Sequence, residues 1–180
     1  KTAAVILVNM FGTISKDIFK IKKLCKKKKI LLIEDCAHSI GAKIKNKYSG
    51  TIGDVGCFSF YPTKIITSGE GGMLITNNRK IYNIARSYQN RGRNINKIEE
   101  EYIFPGRNVR MPEFSALIGK IQLKNLEKFL KFRRLNVIYY TTYLKFNSNI
   151  KILKPKKLTE SSFWKLPVML KSKKLRDSLL

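Results

Sequence analysis

The residues best able to do chemistry fall in one stretch, IEDCAHSIGAKIKNKYSGTIGDVGCFSFYPTKIITSGEGGMLIT, from Ile33 to Thr76. It places Asp35 at the end of an apolar run, Ser59 inside a second run, Lys64 just beyond it, and a glycine-rich turn after that. A lysine amine in a desolvated site is a nucleophile towards carbonyl carbon. Glu34 and Asp35 are neighbours in an extended run, so they point to opposite sides and do not form a catalytic carboxylate pair. Each candidate also has a plainer reading: Asp35 as a turn or cap aspartate, Lys64 as a surface lysine, Asp54 as a turn residue. The turn SGEGGMLIT is neither a Walker loop nor a GxGxxG before a helix, so alone it is a weak phosphate signal.

The elements that must position these residues can be read from periodicity. AAVILVN (Ala3 to Asn9) and ILLIED (Ile30 to Asp35) are short continuous apolar runs, the pattern of strands covered on both faces. Between them, Ser15 is a candidate N-cap for a helix with Ile18, Ile21, Leu24 and Cys25 on one stripe. Its lysines fall on the other face and at the C-terminal end, where the helix dipole favours cations. Strand, helix and strand predict a parallel pair with a right-handed crossover. Asp35 then lies at the carboxyl edge of the sheet, where open α/β sheets bind ligands.

CFSFY predicts a third strand, stopped by Pro62, with Ser59 facing away from Phe58 and Phe60. Met73 to Thr76 predicts a fourth, antiparallel because the return after Lys64 is short. NNRKIYNIARSYQNRG predicts a helix with Ile81, Ile84 and Ala85 inward and Gly92 as its stop. RNINKIEEEYIFPGRNVRM reads as a long loop. From Pro112 one long helix is expected towards Phe146, with Phe114, Leu117, Ile118, Ile121, Leu126, Phe129 and Leu130 at helical spacing. SSFWKLPVML reads as a strand opening a second domain, with Phe163 and Trp164 in its core.

Composition removes several function classes. Lys and Arg outnumber Asp and Glu by 37 to 12, a net charge of +25 that invites a polyanion partner. The excess is mostly lysine on segments such as KIKKLCKKKK, without the arginine or interleaved aromatics of base readers and strand binders. It reads as solvated lysine faces, with no specific nucleic acid as partner. One histidine and three cysteines, Cys25, Cys36 and Cys57, without zinc spacing predict no metal site and reduced thiols in a cytoplasmic protein. No run of about 18 apolar residues occurs, so no membrane partner is expected. The chain enters an apolar run directly after Lys1 and stops at RDSLL, the pattern expected of an internal fragment.

Taken together, IEDCAHSIGA, GDVGCFSFYPTK, GEGGMLIT and GRNVRMPEFSALIGKIQL resemble, in order and spacing, the sugar-nucleotide aminotransferases of the DegT/DnrJ/StrS type. These are pyridoxal-phosphate enzymes of the aspartate aminotransferase superfamily. The resemblance implies an α/β fold, a three-layer sandwich with a mostly parallel sheet. Residues 1–147 would form a partial cofactor-binding large domain including the long connecting helix, and 148–180 the beginning of the small C-terminal domain. It implies that Lys64 forms the Schiff base with pyridoxal 5'-phosphate, Asp35 binds the pyridine nitrogen, and Ser59 bonds the phosphate. His38 would sit beside the phenolic oxygen, and Asn108 would reach the phosphate of the partner in a homodimer.

The implied reaction moves an amino group, from glutamate, to a nucleotide-linked keto-sugar for amino-sugar and polysaccharide biosynthesis. Relatives that are sugar dehydratases replace the lysine with histidine, so Lys64 speaks against that variant. A non-catalytic regulatory or scaffolding homologue is the rival from another class, and the Asp35, Ser59 and Lys64 set speaks against it. Val109 departs from the tyrosine usual in relatives, and Asn9 from a frequent histidine. An upstream part that carries a Gly-Thr phosphate contact and a stacking aromatic ring in relatives has no counterpart here. The 180 residues alone are therefore not expected to turn over substrate.

Overall fold

The computed structural model describes residues 1–155 and 158–179. β1 (Ala4–Val8) leads through a 3-10 turn at Met10–Gly12 to α1 (Ile18–Lys28), which delivers the chain to β2 (Leu31–Asp35). β1 and β2 are parallel, from Ala4 opposite Leu31 to Val8 opposite Asp35. A small antiparallel pair, β3 (Lys43–Ile44) and β4 (Lys47–Tyr48), precedes β5 (Val55–Ser59). β5 adds parallel to β2 with Asp35 opposite Cys57, and β6 (Gly72–Ile75) returns antiparallel with Gly72 opposite Ser59. The sheet order is β1-β2-β5-β6. The expected βαβ unit, the edge position of Asp35 and the antiparallel fourth strand are all present.

α2 (Arg79–Gln89) begins at Asn78, whose side chain accepts from the N–H groups of Lys80 and Ile81. This satisfies two donors that the first helical turn leaves free. It ends as the sequence predicts: Gly92, at φ +83, donates its N–H to the Ser87 carbonyl at 2.8 Å. A Cβ there would overlap the Phe104 carbonyl, so only glycine fits. α3 (Glu113–Lys124), α4 (Leu126–Tyr143), β7 (Ile150–Ile152), β8 (Thr159–Glu160), β9 (Val168–Leu170) and α5 (Lys173–Asp177) follow. β7 pairs with β9, whereas β8 goes back to pair with β3, Lys43 opposite Glu160. No helix among the described residues is long and apolar enough to cross a membrane.

Five local expectations change. SSFWKLPVML is strand only at its end, Val168–Leu170 in β9. The single long helix is two, α3 and α4, broken at Asn125. Its N–H reaches the Gln122 carbonyl and its side-chain amide the Ile121 carbonyl, each at 3.0 Å. Short amide side chains compete with the helix for its own backbone groups. Ser15 is not the N-cap of α1; its Oγ accepts from the Asp17 N–H in the turn before the helix starts at Ile18. Leu24 and Ile84 were expected inward but are 56% and 59% exposed. Ile18, Ile21 and Cys25 share one line on α1, and Leu24 falls on its flank. Spacing fixes the face on which Ile84 lies, not whether another element covers it.

The larger core lies between α1 and the strands: Ile14, Ile18, Cys25, Leu32, Ala42, Ile44 and Ile52, all buried. A second, smaller core joins the loop after β5 to α4 through Ile65, Ile66 and Leu130, with Phe60, Phe129 and Trp164 against it.

Candidate active site

Two parts of the chain meet at the carboxyl edge of the sheet. The first is the end of β2. The Asp35 carbonyl accepts from the Asn9 N–H at 2.9 Å, and its Oδ1 accepts from the Ala37 N–H at 3.0 Å. The turn-aspartate reading thus holds for one carboxylate oxygen, while the side chain stays partly accessible at the edge.

Glu34 turns the other way and is fully buried. Its Oε1 accepts from the N–H groups of Ile52 (2.7 Å) and Gly53 (2.6 Å), and Oε2 from Gly50 N–H (2.9 Å) and Asn9 Nδ2 (3.2 Å). These bonds hold a buried carboxylate by backbone and amide donors, and they clamp the loop before β5 onto β2. The close approach needs glycine, since a Cβ on Gly53 would lie 2.6 Å from the Leu32 carbonyl. Asn9 also donates to Ser49 Oγ at 3.1 Å and to Cys36 Sγ at 3.7 Å. Burial pushes the Cys36 thiol up to about 11 against the opposing Ser49 hydrogen bond, so it is no nucleophile. Asp54, read as a turn residue, accepts from the Leu32 N–H at 2.7 Å and fixes the same loop.

The second part is the loop from Phe60 to Gly71 between β5 and β6. It closes on itself: Phe60 N–H bonds Gly71 O (2.9 Å), while Ser68 N–H (3.0 Å) and Thr67 Oγ (2.9 Å) both bond Phe60 O. Ile65 and Ile66 are its buried anchors on Leu130. Lys64 precedes them, with its own N–H on the Tyr61 carbonyl at 2.9 Å. Ser59 ends β5, and its Oγ accepts from the Tyr61 N–H at 3.4 Å.

Trp164 joins the two parts. Its indole stacks on His38 with ring centroids 3.7 Å apart and planes at 18°. The Lys64 Nζ lies 4.7 Å from the indole centroid, and Trp164 Nε1–H donates to the Thr63 carbonyl at 2.7 Å. The core reading of Trp164 accounts for only part of it, because the ring both covers the second core and lines the site. Burial, and then the Lys64 charge, hold the His38 imidazole below its usual pKa; the Asp35 carboxylate opposes this and Lys165 adds to it. His38 is therefore neutral at pH 7, and its Nδ1 is buried with no partner among the described residues. Asp35, His38 and Lys64 thus share one electrostatic neighbourhood.

Asn108 stands apart. It bridges to Asn90 across the 90–108 loop and is exposed, with Arg110 Nη1 on the Asn90 side chain at 2.6 Å. The sequence reading gave no site role to Glu34 or Trp164, and named Asn9 only as a departure that bears on the cofactor's surroundings. The clue for Glu34 was TIGD, a run of backbone donors placed to meet an acid. For Trp164 there was only its being the single tryptophan of the chain. A cavity of about 760 Å³ lies elsewhere, between Tyr140, Leu144, Val168 and Leu170, and holds none of these groups.

Comparisons with known proteins address the family of the chain. GDP-perosamine synthase of Escherichia coli O157:H7 is 32% identical over 179 residues, 99% of this chain and 48% of the relative. GDP-4-keto-6-deoxy-D-mannose 3-dehydratase of Yersinia pseudotuberculosis is 32% identical over 187 residues, 95% of this chain and 47% of the relative. Among solved structures, an aminotransferase from Streptoalloteichus hindustanus superposes with a TM-score of 0.91 at 28% identity, covering 99% of this chain and 48% of that one. The chain spans about half the length of the curated relatives it matches. Residues 1–180 match one family throughout, and the chain belongs to it: the DegT/DnrJ/EryC1/StrS aminotransferase family.

Proposed function

We propose that this chain carries the cofactor-binding part of a pyridoxal-phosphate aminotransferase that transfers an amino group, from glutamate, to a nucleotide-linked keto-sugar. The observation that carries the reading is that Lys64 and His38 meet on the Trp164 indole while the Asp35 carboxylate at the sheet edge acts on the same His38. The residues fit the cofactor. His38 offers a buried nitrogen without a partner, Asp35 a carboxylate at a strand end, Ser59 a hydroxyl at the next, and Lys64 an amine.

When bound, pyridoxal phosphate supplies an aldehyde for the lysine and a ring that accepts electrons from the substrate's α-carbon. Asp35 would hold a protonated ring nitrogen of the cofactor, Ser59 its phosphate and the neutral His38 its ring hydroxyl. The Lys64 amine would be the group that moves a proton at the amino donor's α-carbon. Asn108, exposed on its bridge to Asn90, faces outward to meet the cofactor phosphate of a second copy in a homodimer. Residues 1–147 form the large domain and 148–180 open the small one, in a cytoplasmic protein.

A dehydratase reading has the Yersinia relative in its favour. Lys64, where such relatives carry histidine, speaks for transamination. One absorbance experiment separates the outcomes. The protein supplied with pyridoxal phosphate should show a band between about 330 and 430 nm that glutamate bleaches. Lys64→Ala should abolish the band. A folded parent without it sinks the aminotransferase reading.

A further inference from the structure

We propose that Trp164 is a positioning residue for Lys64: its indole tethers the loop that presents the amine and turns an electron-rich face to the positive charge on that nitrogen. The inference rests on the reading of Lys64 as the cofactor lysine.

The tether is direct. The Nε1–H bond of Trp164 ends on the carbonyl of Thr63, the residue immediately before Lys64. The hydrogen bonds of the lysine loop are otherwise made within the loop itself, so with the Lys64 N–H on the Tyr61 carbonyl this bond engages both ends of the peptide that carries the amine and ties it to a distant segment. The charge contact follows from the ring quadrupole, which attracts a cation placed within about 6 Å of an aromatic centroid. Lys64 Nζ at 4.7 Å is within that range. His38, stacked at 3.7 Å, covers the indole and screens it from water.

The indole is itself held from three sides. Arg133 Nη1 on α4 donates to the carbonyls of Phe163 (3.0 Å) and Trp164 (3.2 Å). The turn after β1 accepts the Ser162 N–H at the Gly12 carbonyl (3.0 Å). The loop after β2 accepts the Ser162 hydroxyl at the His38 carbonyl (3.4 Å). Phe163 takes φ +48, a conformation costly for an aromatic residue and kept only where the surroundings enforce it. A side chain needed only for core volume requires none of this.

The charged groups around this contact are Asp35 and Lys165, which together with Lys64 act on the His38 imidazole, and the Lys165 Nζ also lies 4.7 Å from the indole. Arg133 is engaged with the backbone carbonyls of Phe163 and Trp164. The attraction of the ring face for the Lys64 nitrogen exists only while that nitrogen is positive, so the indole favours its protonated form.

The test is a pH titration of the lysine-bound cofactor band in the protein loaded with pyridoxal phosphate. Biosynthetic replacement of tryptophan by tetrafluorotryptophan weakens the ring quadrupole and leaves its shape. It should lower the titration midpoint by about half a pH unit. The same replacement in Trp164→Phe should move nothing, which assigns the shift to this ring. Trp164→Phe, which keeps a ring but loses the N–H, should release the cofactor several-fold faster than the parent. An unchanged midpoint in the fluorinated protein, together with an unchanged release rate in Trp164→Phe, overturns the proposal. A parent with no band would instead sink the reading of Lys64 on which it rests.

Discussion

Asp35 and Lys64 both act on the charge of His38, yet the chain holds them by different means. The Asp35 side is fixed by polar groups: Glu34 takes three backbone N–H groups and the Asn9 amide in the interior, and Asp54 takes another N–H. The Lys64 loop, closed by its own hydrogen bonds, is anchored on the rest of the chain by apolar packing, Ile65 and Ile66 against Leu130, and by the Trp164 N–H on Thr63. Hydrogen bonds to a buried carboxylate are directional, and losing their acceptor leaves every donor unsatisfied. Packing is non-directional and weakens by degrees as volume is removed. The half that must hold a charge still is thus built rigid. The half whose amine must move is built to give.

The sharpest way to break this contrast is at Glu34. Glu34→Ala leaves the N–H groups of Gly50, Ile52 and Gly53 buried without an acceptor. It should lower unfolding free energy by about 4 kcal/mol, read from urea transitions. A loss below about 1 kcal/mol would mean that the carboxylate is not what closes this loop.

Leu130→Ala should cost somewhat less, about 3 kcal/mol, and its effect should be local. Amide exchange should accelerate at Phe60 and Ser68, which close the lysine loop. It should stay unchanged at Asn9 and Cys36, which bond across the Asp35 end. Equal acceleration at both ends would show the two halves to be one cooperative unit and remove the contrast.

The two halves also differed in how far the sequence disclosed them. The βαβ frame and the edge position of Asp35 follow from apolar runs and one helical stripe, both local patterns. The Glu34 clamp leaves only the faint mark of GTIGD, because its donors are the N–H groups of Gly50, Ile52 and Gly53 and the Asn9 amide, which only the fold brings to the acid. The Lys64 side depends on Leu130 and Trp164, the latter 101 positions from the Thr63 carbonyl it bonds. No periodicity encodes a contact of that span. The break at Asn125 was equally hidden, since the apolar spacing runs on through it. α3 shows the reverse case. Phe114, Leu117, Ile118 and Ile121 keep helical spacing, yet all are exposed, Phe114 at 84%. A stripe declares that a face wants a partner, not that this chain provides one.

The smallest expected effect lies where the halves touch. His38 follows β2, but its ring is covered by Trp164 from beyond α4. Burial first, and the Lys64 charge second, depress its pKa from the usual 6.5. Below about pH 6.5 the unfolded chain therefore takes up a proton that the folded chain refuses, and stability falls with pH until the folded imidazole also titrates. Above pH 6.5 the contribution is complete. His38→Gln should flatten this part of the stability profile and leave the neutral-pH value nearly unchanged. Because His38 is the single histidine of the chain, its imidazole resonance reports the titration directly. Trp164→Leu should return the midpoint towards 6.5, since it strips the cover supplied by the other half. If the midpoint stays depressed without Trp164, the indole is not what buries His38, and the halves are coupled there through the Lys64 charge instead.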